Sequence, residues 1–356
     1  MFGFSIYLNE DWSDAKEAYI AEMADIGFKG IFTSLHLPED DVLQYGGRLK
    51  QLVNAARSRG LRLMADISGN ALEAVGLSIR RPKQIKESGI TGLRVDDGID
   101  LKDIAALSNF IIVGVNADTL TESDYENLEK YGANFSRMEA WHNYYPRLET
   151  GLDEKWFGEK NKWLKSKGLS VAAFAPGDGE LRHPLYETLP TLEMHRHENP
   201  LAASLSLLQH YAVDHVYIGD PGLTVESCSQ FRQWIRCETI LLHAAAKEEK
   251  WQPYIFKKHQ NRIDPARDVI RSIYSRRENK DADIPPENNG LRTAGSITLD
   301  NQLYKRYKGE LQIVRRALPP DPKVNVIGRI AARDLPLLPF IQSGTKFEIT
   351  ASEGGK

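Results

Sequence analysis

Carboxylates, amides, imidazoles and guanidinium groups in this chain gather just after short apolar runs. In chain order they are Asn9-Glu10, Ser34 and His36, Asp66 and Ser68, Arg94 with Asp96-Asp97, Asn116, Glu139 with His142-Asn143, Asp178 and Asp220. Asp96 and Asp97 are adjacent, and neighbouring carboxylates disfavour each other's ionisation. One of them can keep its proton near neutrality and act as a general acid. Strand alternation would send the two opposite ways, and Asp-Asp-Gly is also ordinary turn chemistry. The segment 138–147 (MEAWHNYYPR) supplies an acid, an imidazole, an amide, two phenols and a guanidinium. Glu139 therefore competes with Asp96 and Asp97 for a catalytic role. His142, Asn143 and Tyr145 suit sugar hydroxyls and ring faces, and Arg147 can hold a phosphate or carboxylate through its planar fork. A third group, 177–187 (GDGELRHPLYE) and the following 189–197, contributes Asp178, Arg182 and Glu193 to the same expected binding surface. His195-x-His197 invites a metal, but no matched third ligand is identifiable, so neither a metal nor another cofactor is expected.

Elements that would position these residues are legible as alternating apolar runs and amphipathic segments. Strands are predicted over 2–8, 31–36, 62–68, 92–97, 110–116, 133–140, 169–175 and 215–219. Helical connections lie between them, among them 14–25, 44–59, 123–131, 153–167, 200–211 and 225–234. Phe110–Asn116 is continuously apolar, as expected of a strand buried on both faces. Eight such units in the first 237 residues predict a (β/α)8 TIM-type barrel, whose active site forms at the carboxyl ends of the strands. A doubly wound sheet would need a Gly-rich turn after the first strand, where the chain has Leu8-Asn9-Glu10-Asp11 instead. Glu238–Lys250 reads as the end of a helix. Beyond it, short strands at 296–299, 309–315, 325–330 and 345–349 predict a small all-β domain over 238–356.

The 356 residues are 41% hydrophobic and 27% charged, a globular composition that excludes disorder, collagen and coiled-coil rods. Net charge is −3, but residues 238–356 hold 21 Lys and Arg against 15 Asp and Glu, leaving 25 against 34 before them. That modest basic excess, without a basic-aromatic stripe, argues against nucleic acid and for a small anionic ligand. No run of apolar residues approaches a membrane span, and the start lacks a cationic leader. Cys228 and Cys237 are the only cysteines, so no disulfide framework is expected. The expectation is a cytoplasmic protein with no membrane partner, one compatible with assembly as a homo-oligomer.

The opening GFSIYLNE, the loop HNYYPR, the run RHPLYETLPTLEMHR, YIGDP after the eighth strand and the distal ITLDNQLYKRYKGELQI together resemble the MupG-type 6-phospho-N-acetylmuramidases over nearly the whole chain. The resemblance implies a barrel joined to a cyclophilin-like β domain. It also implies hydrolysis of a disaccharide of 6-phospho-N-acetylmuramic acid and N-acetylglucosamine in cell-wall recycling. In that setting Asp96 would orient the substrate acetamide and Asp97 act as acid/base, with Glu139 as the competing carboxylate. Arg147 and Arg182 would hold the phosphate or lactyl group. Asn9, Ser34, Asn116, His142, Asn143, Tyr145, Asp178, Glu193 and Asp220 would complete the binding surface. The alternatives are a phosphosugar isomerase, epimerase or aldolase on the same barrel, and a non-catalytic phosphosugar binder.

Overall fold

Each short apolar run of the first half becomes a strand because both of its faces are covered, one by helices and one by the barrel interior. The computed structural model describes residues 1–35, 45–67, 71–96 and 98–352, which form two compact units, Met1–Val225 and Glu226–Lys356. In the first, eight parallel strands close on themselves: β1 (Phe2–Ser5), β2 (Gly30–Ser34), β3 (Arg62–Ile67), β4 (Gly92–Val95), β5 (Ile112–Asn116), β6 (Met138–Trp141), β7 (Ser170–Ala175) and β8 (His215–Ile218). Closure is direct, since β1 pairs with β8 through Gly3 opposite Tyr217. Local signals start the connecting helices. Thr121 and Asp124 form a reciprocal capping box, Asp153 accepts from the amide of Trp156 at 2.9 Å, and Asn199 caps a helix whose first residue is Pro200.

Large and small residues complement one another inside the barrel. Phe32, Met64, Trp141, Ala172, Phe174 and Tyr217 form its central layer. Phe32 meets Phe174 edge-on at 5.0 Å, and Trp141 lies 4.7 Å from Tyr217. Glycines on neighbouring strands leave the room: a Cβ added to Gly3 would lie 2.2 Å from the Tyr217 ring, and one on Gly114 would lie 2.7 Å from Trp141 Cδ1.

The sixth strand starts later than its composition suggests. Residues 133–140 were expected to be extended, but Asn134 accepts from the Ser136 amide and opens a 3-10 turn over Phe135–Arg137. The strand proper begins only at Met138.

The second unit is a seven-stranded mixed sheet. Its strands are β9 (Thr239–Ala246), β10 (Lys258–Gln260), β11 (Val269–Arg271), β12 (Ser296–Asp300), β13 (Leu311–Val314), β14 (Val324–Ile330) and β15 (Lys346–Ala351), in spatial order β10-β15-β9-β14-β12-β13-β11. Glu238–Lys250 does not finish a helix. Its TILLHAAA segment is β9, paired parallel to β15 on one side and antiparallel to β14 on the other, so pairing on both edges overrides the helix propensity of three alanines. Gln230, on the helix Val225–Cys237, donates to Leu241 O and to Asp334, which also accepts from the amide and ring of His243. That helix thus travels with the second unit.

The barrel interior has no spare volume beside Trp141. Gly114→Ala should lower unfolding free energy by about 1–3 kcal/mol, the usual cost of overpacking. A urea titration with an unchanged midpoint would show that the layer can yield.

Candidate active site

Arg94 points inward from β4 and is only 3% exposed, so its charge must be met inside the protein. Its Nη1 donates to Asp66 Oδ1 at 2.6 Å, its Nη2 donates to Asn143 Oδ1, and Asp96 lies 3.3 Å away. Burial opposes the guanidinium charge, but Asp66 and Asp96 outweigh it and raise the Arg94 pKa further. Ser34 Oγ donates to Asp66 at 3.3 Å, and Asn116 Nδ2 donates to Asp96 at 2.7 Å. Side chains from β2 to β5, with Asn143 just past β6, therefore meet at one end of the barrel. Ser34, Asp66, Arg94, Asp96 and Asn143 line, with Phe32, Tyr144 and Phe174, a cavity of about 180 Å³ at the carboxyl ends of the strands.

A second network supports that rim from beneath. Asp118 Oδ1 lies 2.5 Å from His142 Nδ1, and its Oδ2 accepts from the Asn143 amide at 3.0 Å and from Tyr145 OH at 2.9 Å. Burial would raise this carboxyl, but the bonds from His142, Asn143 and Tyr145 prevail and hold it below the ordinary aspartate value. His142 is wholly buried, with Nε2 2.7 Å from Asn161 Oδ1, and Asn161 in turn donates to Tyr211 O. It presents no ring nitrogen to a ligand, contrary to the expectation of a hydroxyl contact. Its role is to hold Asp118, and through it Asn143.

Beside the first cavity lies another, of about 150 Å³, lined by Tyr7, Asn9, Glu10, Lys16, Arg182 and His183 among others. Arg182 links the two: it donates to Tyr144 OH at 2.6 Å and lies 4.2 Å over the Tyr7 ring. Burial pushes the phenols of Tyr7 and Tyr144 upward, so both stay protonated and able to donate. Asn9 Nδ2 is 2.7 Å from His183 Nε2. The excursion carrying Arg182 and His183 is pinned at both feet by Asp220, whose Oδ2 accepts from the amides of Gly177 and Leu189 at 2.8 and 2.9 Å. Asp220 is 1% exposed, and burial raises its carboxyl despite those amides.

Other expected site residues are placed differently. Glu139 is not at a strand end. As the second residue of β6 it faces Arg62 at 2.7 Å and His215 at 3.8 Å, groups from the first residues of β3 and β8, and it accepts from Trp141 Nε1 at 3.0 Å. It therefore lies at the amino end of the barrel, with the aromatic layer between it and the cavities. Asp178 ties its loop to Thr224 through two bonds. Glu193 accepts from the amides of Glu149 and Gly151 and pairs with Arg196, contacts that bring its carboxyl down to about 2. Arg147 is exposed, and its carbonyl accepts from Arg196. His195 is buried against Ser206, whereas His197 is half-exposed beside Glu187. Among the described residues no three His, Cys, Asp or Glu converge as a metal site. Asp97, His36 and Ser68 lie outside the described residues.

A closed eight-stranded parallel barrel with an acid- and guanidinium-lined cavity at the carboxyl ends of its strands is an α/β barrel of the TIM type. More narrowly, the chain belongs to the 6-phospho-N-acetylmuramidase family: residues 2–233 match its N-terminal model and residues 239–350 its C-terminal model. Among solved structures it is similar to a conserved Enterococcus faecalis protein of unknown function, with 42% identity over 99% of this chain and 97% of that one and a TM-score of 0.92. It is also similar to an uncharacterized B. cereus protein, with 25% identity over 98% and 99% of the two chains and a TM-score of 0.74. No curated protein matches it. Among the described residues no helix is long and apolar enough to cross a membrane.

Two outcomes test these placements. Glu139→Gln should destabilise the barrel by about 1–3 kcal/mol, because it takes away the carboxylate that meets the Arg62 charge; an unaltered denaturation midpoint would remove Glu139 from the structural frame. His195 is held down to about 4 by burial, so below its ordinary 6.5 the unfolded chain binds a proton that the folded one resists. Its contribution is complete above pH 6.5 and is lost as pH falls toward 4, up to about 3 kcal/mol. His195→Asn should flatten that part of the stability-against-pH curve, and an unchanged slope would assign the acid sensitivity elsewhere.

Proposed function

We propose that this chain is a glycoside hydrolase that cleaves 6-phospho-N-acetylmuramic acid from N-acetylglucosamine during peptidoglycan recycling. The observation that carries the reading is the convergence of Asp66, Arg94, Asp96 and Asn143 over an aromatic floor, in a chain that belongs to this family. Cleaving a glycosidic bond requires protonation of the leaving oxygen and stabilisation of positive charge at the anomeric carbon. A 2-acetamido sugar can supply the second through its own carbonyl, which needs a fixed carboxylate to orient the amide. Asp96, steadied by Asn116 and Arg94, suits that role. Asp96 is already committed to Asn116 and Arg94, so the acid/base role is given to Asp97, the next residue in the chain.

Two adjoining cavities suit the two rings of a disaccharide. Ser34, Asn143, Tyr144 and the aromatic floor would take the reacting sugar, and Asn9 and His183 the neighbouring group. Arg182 would hold the phosphate or the lactyl carboxylate at the junction, with Arg147 as an outer cation.

Purified protein should release N-acetylglucosamine from the phosphorylated disaccharide and act poorly on the unphosphorylated one. Asp97→Asn should cut turnover by about 10²–10⁴-fold with little change in KM, the usual weight of a positioned acid. Full turnover in that variant takes the proton-donor role away from Asp97, and no release by the unaltered protein rejects the reading.

A further inference from the structure

The second unit holds a charged cluster for which hydrolysis in the barrel has no use. Arg276, Arg277, Lys280, Lys305, Arg306 and Lys308 line one cavity of about 330 Å³, and no carboxylate lines it. They come from two segments, the short helix Ser275–Glu278 with the residues just after it and the 3-10 stretch Gln302–Tyr307 with Lys308. Hydrogen bonds, two of them buried, fix these segments together. Asn279 Nδ2 donates to Gly309 O at 3.0 Å, the Leu311 amide donates to Ser275 Oγ at 2.8 Å, and Lys308 Nζ donates to Ala282 O at 2.8 Å. Gly309, at φ +84°, permits the approach, since a Cβ there would lie 2.7 Å from Asn279 Cβ. The backbone therefore cannot let the cations drift apart.

Nor do acidic neighbours neutralise them. Among the described residues, the only one of the six with a carboxylate within 4.0 Å is Arg276, at 3.9 Å from Glu310, and Glu310 already holds Arg271 through bonds of 2.7 and 3.1 Å. Like charges closer than the Debye length, about 8 Å at physiological salt, repel one another unless an anion joins them. Three arginine forks and three lysine ammonium groups match phosphate oxygens better than they match a lone carboxylate. The guanidinium groups of Arg276 and Arg306 lie 5.4 and 4.8 Å from the Tyr307 ring, so that ring is already engaged and poorly placed to stack on a nucleic-acid base.

We propose that this cavity binds a compact oligophosphate group bearing three or more negative charges. The inference stands apart from the muramidase reading.

Isothermal titration of the full chain with inorganic triphosphate and with orthophosphate tests it. Triphosphate should bind at least about 10-fold tighter than orthophosphate, and its binding should weaken by at least about 10-fold between about 50 and 300 mM salt. Arg277→Ala combined with Lys305→Ala should weaken triphosphate binding by on the order of 10-fold or more. Both side chains are exposed, so the unfolding midpoint and turnover of the phosphorylated disaccharide should stay unchanged. Absence of triphosphate binding, equal binding by the double variant, or tighter binding to anionic vesicles or a single-stranded oligonucleotide would overturn the proposal.

Discussion

A guanidinium that cannot give up its proton sits almost wholly out of water at the mouth of the barrel, and the surroundings of Arg94 follow from that. Asp66 and Asp96 meet its charge, Asn143 accepts its remaining fork, and Ser34 and Asn116 hold the carboxylates in turn. Each of these side chains belongs to a different strand or to the turn just after one. Removing any one would leave a buried polar group without its partner, a larger cost than the bond itself contributes. The constraint reaches past the cavity wall: Asn143 is positioned by Asp118, and Asp118 by the buried His142. Whatever enters this cavity meets side chains already fixed, so little ordering entropy remains to be lost on binding.

The same pairing of acid and guanidinium recurs at the opposite end of the barrel, where Glu139 meets Arg62. Between the two lies the layer of Trp141, Phe174, Phe32 and Tyr217, made possible by glycines on the neighbouring strands. Position along the strand separates the roles. A charge pair at the amino end closes the barrel floor, and one at the carboxyl end faces the loops where chemistry is built.

Much of this architecture is legible in the residues because parallel strands covered on both faces leave continuous apolar runs, and eight of them in order imply a barrel. The strand TILLHAAA escapes such a reading, since alanine-rich text suits a helix until neighbours on both edges claim its backbone. Glu139, Trp141 and Asn143 share one inward face by alternation, so parity identifies them as interior residues. How deep each lies depends on where the strand begins, and an asparagine-capped turn sets that start. Asp118 is harder still: it follows Asn116-Ala117 as turn-like text, and its partners His142, Asn143 and Tyr145 arrive from the next strand end. Asp66 and Arg94 stand at recognisable strand ends, but their mutual engagement needs the register of β3 against β4, where they lie opposite one another.

Asp220 grips both feet of the excursion from Gly177 to Leu189 with a single oxygen. A segment tethered at two such hooks behaves as an exchangeable cassette. Side chains such as Arg182 and His183 are offered to the cavity from fixed ends, so exchanging them changes what the cavity accepts without the barrel being refolded.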